Sequence, residues 1–426
     1  MPRSERARSS ATKYRKRDSL SCSNSPKGGC SALRILFVGM PDSVHTARSI
    51  NQVADLGWDL HLFSSTWGAP HHELRNITVY NISYSRPKKL SRNVRLKGLS
   101  PTRTGGPWLI GIVPYSFWLE RVIRWLKPDI IHSMEIQHAG YLTLEAKMRL
   151  KGPFPPWIVT NWGSDIYLFG RLSEHENKIK AVMSSCDYYS CECHRDVDLA
   201  RDFGFQGEVL GVWPNAGGFD LNRLRQFRQP GAPSTRRLIA LKGYQHWGGR
   251  ALVGLRAIEL CEDVLQDYRV AVYTANPEVK IAAELASRST GIPIEIVPSC
   301  SHEEMLRLHG RARVSIGLSI SDAISTSFLE AMIMGSFPVQ SNTGCGDEWV
   351  RDGETGILVA PNDPEMVAAA IRRSVTDDEL VDRAAESNAR VAAERLDYSV
   401  IQPRVIEMYM RVMGSKGSRY DGSSAW

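Results

Sequence analysis

Two carboxylates, Asp322 and Glu330, stand with seven residues between them, and three hydroxyl side chains, Ser325, Thr326 and Ser327, fall in that interval. Phe328–Met334 reads as a helix stopped by Gly335. The apolar run Val314–Ile320 reads as a buried strand ahead of it, and Phe337–Gln340 as a second strand behind it. Small hydroxyl residues at a helix start can cap it and leave backbone N–H groups aimed at solvent. Such an N-terminus holds phosphate. An acid in the loop and an acid one turn into the helix then suit the hydroxyl-bearing ends of an anionic ligand, not its phosphates.

A second loop carries the opposite charge. Lys242-Gly-Tyr-Gln-His-Trp-Gly-Gly-Arg250 lies between an expected strand, Leu238–Leu241, and an expected helix, Ala251–Leu260. Gly248 and Gly249 let the backbone turn tightly where that helix begins. Lys242 and Arg250 could be ordinary surface cations in a turn, but the glycine pair beside Arg250 and the matching loop at Ser325 argue against it. The alternative places both at the strand-end edge that holds Ser325–Ser327, where two cations and a helix N-terminus neutralise a pyrophosphate. A pyrophosphate between two carboxylates describes a nucleotide diphosphate sugar. Glu330 would accept from ribose hydroxyls and Asp322 from sugar hydroxyls, with Ser325, Thr326, Ser327 and Gly249 completing the donor site.

These loops need parallel sheets to position them. The 426 residues suffice for two α/β domains, and the 42% apolar fraction is that of a globular protein. Leu33–Gly39 reads as a buried strand, followed by a helix with Ala47, Ile50, Val53 and Ala54 on one face and a strand at Trp58–Phe63. That is the βαβ opening of a doubly wound domain, without the GxGxxG dinucleotide order. Later strands at 130–132, 157–160, 188–191 and 209–213 each lead into a polar cluster at one edge of the sheet. His45, His138 and Asp165 belong to such clusters and are the acceptor-side candidates. The expected division is a disordered basic tail (1–32), a first Rossmann-like domain (33–218), a linker (219–236), a second Rossmann-like domain (237–395), a C-terminal helix (396–413) and a flexible tail (414–426). The fold class is α/β, two doubly wound domains facing across a cleft. Asp196-Val197-Asp198 reads as a solvated helix face.

The net charge of +7 is local, because residues 1–32 carry eight Lys or Arg against Glu5 and Asp18. The rest is nearly neutral, which argues against nucleic acid as a partner. Residues 86–103 hold seven basic residues and no acid. They suit a solvated loop, or a surface for peripheral contact with an anionic membrane beside the apolar segment that follows. Pro114, Glu120, Arg121 and Arg124 exclude that segment, 108–126, as a membrane span. No signal peptide is read, and the sequons at Asn76 and Asn81 are taken as chance. The eight cysteines form no zinc-spaced CxxC blocks; Cys191, Cys193 and His194 are the nearest approach to a metal site, and scattered cysteines suit a reducing compartment. No metal and no cofactor are expected, and the expected location is the cytoplasm, with peripheral attachment at the inner face of the membrane as the alternative.

The run from Asp322 to Glu330, then Ala331-Met332-Ile333-Met334-Gly335 and Pro338-Val339, resembles the family-4 retaining glycosyltransferases of GT-B fold (group 1 glycosyl transferases). Their signature is two glutamates separated by seven residues, an Ala-Met helix, Gly, then Pro-Val. The resemblance takes in Gly163-Ser164-Asp165, Pro214-Asn215, Lys242–Arg250 and Asp352-Gly353…Gly356–Val359. The chain departs from the pattern at Asp322, one methylene shorter than Glu. Trp162 stands where a His often precedes Gly-x-Asp, and the family's Arg-then-Lys pair appears as Lys242 then Arg250. The resemblance implies metal-free transfer of a hexosyl unit, with retention, from a UDP- or GDP-sugar to a glycan or lipid-linked acceptor, in cell-surface polysaccharide or glycolipid synthesis. It implies front-face displacement, with Asp322, Arg250 and Lys242 in the catalytic roles. A nucleotide-sugar epimerase or phosphorylase on the same architecture, and a non-catalytic nucleotide-sugar binder, are the competing readings.

Overall fold

The computed structural model describes residues 32–82, 84, 87–90, 92–99, 114–215 and 217–420, with side chains to 415. The expected basic tail, Cys22 and Cys30, Arg86 and Arg103 of the basic run, the start of the 108–126 segment and the last six residues lie outside them.

The first domain is a sheet of nine strands: β1 (Arg34–Gly39), β2 (Asp59–Ser64), β3 (Thr78–Asn81), β4 (Lys88–Lys89), β5 (Arg95–Gly98), β6 (Ile130–Met134), β7 (Trp157–Thr160), β8 (Tyr188–Cys191) and β9 (Glu208–Val212). Their order is β4-β5-β3-β2-β1-β6-β7-β8-β9. Among the described residues only the edge pair β4–β5 is antiparallel. Parallel strands covered by helices on both faces read as unbroken apolar runs. Ile35, Leu36, Phe37 and Val38 of β1 are accordingly all sealed from solvent.

The second domain has six parallel strands, β10 (Leu238–Lys242), β11 (Arg269–Tyr273), β12 (Ile294–Ile296), β13 (Val314–Gly317), β14 (Phe337–Ser341) and β15 (Ile357–Val359), in the order β12-β11-β10-β13-β14-β15. β10 lies between β11 and β13. The loops after β10 and β13 therefore leave the same edge side by side. This is where the strand order reverses, and α/β sheets of this kind bind ligands there.

Several expectations change here. The strand expected over 314–320 ends at Gly317. A Cβ there would lie 2.5 Å from the Gln340 side chain. Beyond it the chain pairs with the other donor loop instead. The Arg250 N–H donates to the Leu318 carbonyl and the Ile320 N–H to that of Gly248, with Gly249 and Ser319 bridged between them.

Within the expected linker, 219–236, the polar stretch 229–232 is exposed, but the apolar residues ahead of it are packed. Leu221, Leu224 and Phe227 are buried with Leu306, Phe328 and Met332 of the second domain. The actual crossing is a pair of strands of chain side by side. The Phe219 N–H donates to the Leu396 carbonyl, and the Tyr398 N–H to the Phe219 carbonyl, each at 2.9 Å. The last helix, Tyr398–Tyr420, runs past the end expected at residue 413. It returns to the first domain, where Ile401, Val405, Tyr409 and Val412 join the core beneath β1 and β2. Asp196 is not on a solvated face. It is fully buried and accepts from Asn161 Nδ2 at 2.7 Å, while Asp198 is exposed. Two of the cysteines are joined: Cys193 is disulfide-bonded to Cys345, whereas the scattered cysteines suggest a reducing compartment. Among the described residues no helix is long and apolar enough to cross a membrane.

Candidate active site

The helix after β13 spans Thr326–Met334, and Ser325 occupies its N-cap position. Every residue from Phe328 to Met334 is buried, and Gly335 ends the helix in the left-handed conformation at φ 74°. The Ser325 side chain does not cap the helix. Its Oγ stands 2.8 Å from Ser327 Oγ and accepts from Lys242 Nζ at 3.1 Å. No described residue accepts from the Thr326 or Ser327 N–H groups. They are the donors a helix start leaves for a ligand.

Lys242 Nζ also lies 3.8 Å from Asp322 Oδ2. The ammonium, the helix start and the loop carboxylate thus share one pocket of about 330 Å³, which Glu330 also lines. Glu330 is buried, with its Oε1 2.6 Å from His302 Nε2. Burial pushes its carboxyl up, but the His302 hydrogen bond and the positive neighbours prevail and hold it below the usual carboxylate range. Arg48 of the first domain stands 3.2 Å from the same imidazole nitrogen.

The first domain closes the pocket with His45, Trp162 and Glu192. His45 follows the Ser43 N-cap of the helix after β1, and its ring lies 5.3 Å from that of Trp162. Burial, aided by Arg48, lowers its pKa to about 4, so it is neutral at pH 7. Glu192, just past β8, accepts from the Asn215 N–H at 2.8 Å. Burial drives its carboxyl well above the ordinary range, and nearby carboxylates add to the shift. Burial thus favours the protonated form of this wall residue.

Gly163-Ser164-Asp165 has a physical explanation. Gly163 sits at φ 98°, and a Cβ there would fall 2.1 Å from the Ala323 nitrogen, so only glycine permits this approach to the Asp322 loop. Ser164 Oγ lies 3.0 Å from Ser321 Oγ. Asp165 faces inward, accepting from the Trp162 N–H at 2.8 Å and the Ile136 N–H at 3.1 Å. Burial, with the charge of Glu135, raises its pKa to about 8. It braces two loops and does not line the pocket.

The expected site residues thus separate. Lys242, Asp322, Ser325, Thr326, Ser327, Glu330 and His45 are brought together. Arg250 and Gly249 do not line the pocket. The Arg250 guanidinium is engaged by Asn362 Oδ1 at 2.9 Å and the Gly249 carbonyl at 2.7 Å. His138 pairs with Glu135 at 3.3 Å, which raises its pKa, and its side chain is mostly exposed outside the pocket lining. Glu192 and His302 were not anticipated. Glu192 carried a usable signal, its place just past a strand end like Asn161. His302 carried none, because its role depends on a helix from another part of the chain.

Two parallel α/β domains meeting over a strand-end cleft define the GT-B architecture. Residues 34–188 match the family described as Glycosyl transferase 4-like, and residues 255–391 match Glycosyl transferases group 1. The glycogen synthase of Mycobacterium tuberculosis (strain ATCC 25618 / H37Rv) is 35% identical over 113 residues, 26% of this chain and 26% of that protein. The D-inositol 3-phosphate glycosyltransferase of Nocardioides sp. is 30% identical over 135 residues, 31% of this chain and 29% of that protein. The match thus spans under a third of either relative. Among solved structures, sucrose-phosphate synthase from Thermosynechococcus elongatus superposes with a TM-score of 0.66 at 14% identity, covering 90% of this chain and 100% of that one. Anabaena HepE in complex with UDP-glucose superposes with a TM-score of 0.64 at 13% identity, covering 90% and 99%. The chain belongs to the group 1 glycosyltransferases of GT-B fold.

Proposed function

We propose that the protein transfers a hexosyl unit from a nucleotide diphosphate sugar, UDP- or GDP-linked, to a glycan or lipid-linked acceptor, with retention at the anomeric carbon. The observation that carries this is the convergence of Lys242, the unfilled N–H groups of Thr326 and Ser327, and Asp322 in one pocket also lined by Glu330. The diphosphate would lie on the helix start and Lys242, the ribose against Glu330 and the sugar against Asp322. Lys242 then stabilises the charge that develops on the departing phosphate, the kind of preorganised electrostatic contribution that commonly dominates catalysis.

One group on the facing wall supports retention. His45 has its pKa lowered to about 4, so it is poorly suited to taking a proton from an acceptor hydroxyl at neutral pH. The leaving phosphate oxygen, on the same face of the sugar as the incoming hydroxyl, is then the acceptor of that proton. Catalytic roles go to Lys242 and Asp322; Arg250 would have to leave Asn362 to join them. Of the acceptor-side candidates, His45 is the one that lines the pocket.

Lys88, Lys89 and Arg95 are exposed on the β4–β5 edge, and Lys97 lies 4.5 Å from the ring centre of the exposed Trp125. This surface supports peripheral contact with an anionic membrane, which would bring a lipid-linked acceptor to the first domain.

The test is a panel of UDP-, GDP- and ADP-sugars, read first by thermal shift and then by acceptor-dependent nucleoside diphosphate release. A donor that binds only the native state raises its melting temperature. No shift with any donor would overturn the reading. Binding without release over a broad acceptor panel would make the protein a binder, and interconversion of free nucleotide sugars would make it an epimerase. Product anomeric configuration by NMR decides retention.

A further inference from the structure

We propose that Cys193 and Cys345 form a thiol–disulfide exchange site that latches the two domains together beside the donor pocket. It rests on the cleft-opening step of the proposed reaction for its effect on turnover, though not for its chemistry.

Cys193 belongs to the first domain, at the N-cap position of the helix His194–Asp202 that follows β8. Cys345 belongs to the second, in the loop after β14. The two are 152 residues apart in sequence, yet their Cα atoms lie 6.2 Å apart and they are disulfide-bonded. Both are buried, and the residue packed with them is Ala323, neighbour of Asp322. The Cys345 N–H donates to the Ala323 carbonyl at 2.7 Å. The link is therefore seated on the loop that presents Asp322 to the pocket.

The surrounding contacts across this seam are all reversible. Arg195 donates to the Thr343 carbonyl at 2.8 Å and reaches the Asp322 carbonyl at 3.5 Å. Glu348 accepts from the His194 N–H at 2.8 Å, with its other oxygen 2.9 Å from His194 Nδ1. Hydrogen bonds can part and re-form as a cleft opens; a covalent link cannot. The described cysteines outside this pair, Cys186, Cys191, Cys261 and Cys300, are unbonded, so the cross-link is specific to the domain seam.

The chemistry is a two-electron exchange. In the oxidising direction each thiol gives up a proton and an electron to a low-molecular-weight disulfide. The Cys193–Cys345 bond forms, and the reagent leaves as two thiols. In the reducing direction a low-molecular-weight dithiol attacks one sulfur, the Cys193–Cys345 bond breaks, and the reagent closes to its own disulfide while both side chains regain protons. Donor entry and product release need the domains to part. The oxidised protein is thus held with its cleft shut, and reduction frees it.

The experiment compares the full chain after treatment with a low-molecular-weight disulfide and after treatment with a dithiol. Non-reducing peptide mapping should find the Cys193–Cys345 link only in the oxidised sample. Small-angle scattering without ligand should show the reduced protein more extended. Acceptor-dependent turnover should be about tenfold lower when oxidised and recover on reduction, with release limited by opening. C345A should behave as the reduced wild type in all three measurements, and C193A serves if C345A fails to fold. Equal scattering for the two forms, the same oxidant response in C345A, or a different pairing in the map would each overturn the proposal. So would stoichiometric zinc retained by the wild type and lost in C345A, because Glu348 completes a cluster with both sulfurs that could take a metal ion. Should no donor be turned over, the proposed reaction fails, while mapping and scattering still decide the latch.

Discussion

His302 Nε2 lies 2.6 Å from Glu330 Oε1, and Arg48 from the facing domain stands 3.2 Å from that same nitrogen. One carboxylate is thus fixed by its own domain and sensed by the other. Glu330 is buried on a buried helix, where an unpartnered carboxylate would be costly. With one oxygen engaged by His302, the other is left to accept from a ligand.

Removing either partner should therefore act on binding before chemistry. Glu330→Gln keeps the shape and loses the charge. A hydrogen bond to a charged group contributes about 1.5–3 kcal/mol, so donor affinity should fall by roughly tenfold to a hundredfold. His302→Ala should weaken donor binding and also lower the melting temperature, since it strands the Glu330 carboxylate. Titration calorimetry with the best donor checks both. Unchanged affinity in Glu330→Gln would remove Glu330 from the donor site.

Lys242 and Arg250 occupy one loop but not one place. Lys242 reaches Ser325 and Asp322, whereas Arg250 is bound to Asn362. Lys242→Ala should lower single-turnover nucleoside diphosphate release on the order of 10²-fold, the usual cost of losing one preorganised charge-stabilising donor. Arg250→Ala should cost clearly less. Equal losses would mean that Arg250 swings to the diphosphate when donor binds.

Gly163 and Gly152 both have positive φ, at 98° and 117°, but only Gly163 is pressed against another domain. Gly152→Ala meets nothing within 4 Å and should show only backbone strain, about 1–3 kcal/mol. Gly163→Ala bears the same strain and also collides with Ala323, so it should hold the cleft open. The expected difference is a lower kcat for Gly163→Ala at saturating donor, with near-normal kcat for Gly152→Ala. Comparable kcat in the two variants would show that closure does not depend on this contact.

Much of this site was readable from the chain. The alternation of apolar runs with helical segments gives the two parallel sheets, because strands covered on both faces must be continuously apolar. The Asp322–Glu330 spacing and the strand–loop–helix around it follow from local pattern alone. What was not readable depends on contacts between distant segments. Nothing local says that Arg250 will find Asn362, or that Asp165 will turn inward to hold two loops. Nor does local pattern reveal that Phe219–Phe227, polar in composition, places its few apolar residues where they bury against the second domain. The strand at Val314 ended early for the same reason. An apolar run looks like strand to its end, but here Leu318 and Ile320 pair with the Gly248–Arg250 loop and not with the sheet.

Asp165 offers a test whose sign is fixed by linkage. Its pKa is raised by burial to about 8 in the fold, against about 3.8 for an ordinary aspartate. Between those values the folded protein binds a proton that the unfolded chain does not. Stability from this group is therefore full below the unfolded pKa and is lost as pH rises through the folded one. His45, His132 and His309 act in the opposite sense. Burial lowers their folded pKa values to about 4, 3 and 4, so the unfolded chain takes the proton first and stability falls as pH drops below 6.5. The two effects overlap, and the wild-type curve alone does not separate them. Asp165→Asn removes one and leaves the other. The stability of the wild type relative to Asp165→Asn, from urea midpoints, should increase as pH falls from 8 toward 4. A difference independent of pH would mean that Asp165 stays ionised in the fold and that its two backbone hydrogen bonds outweigh its burial.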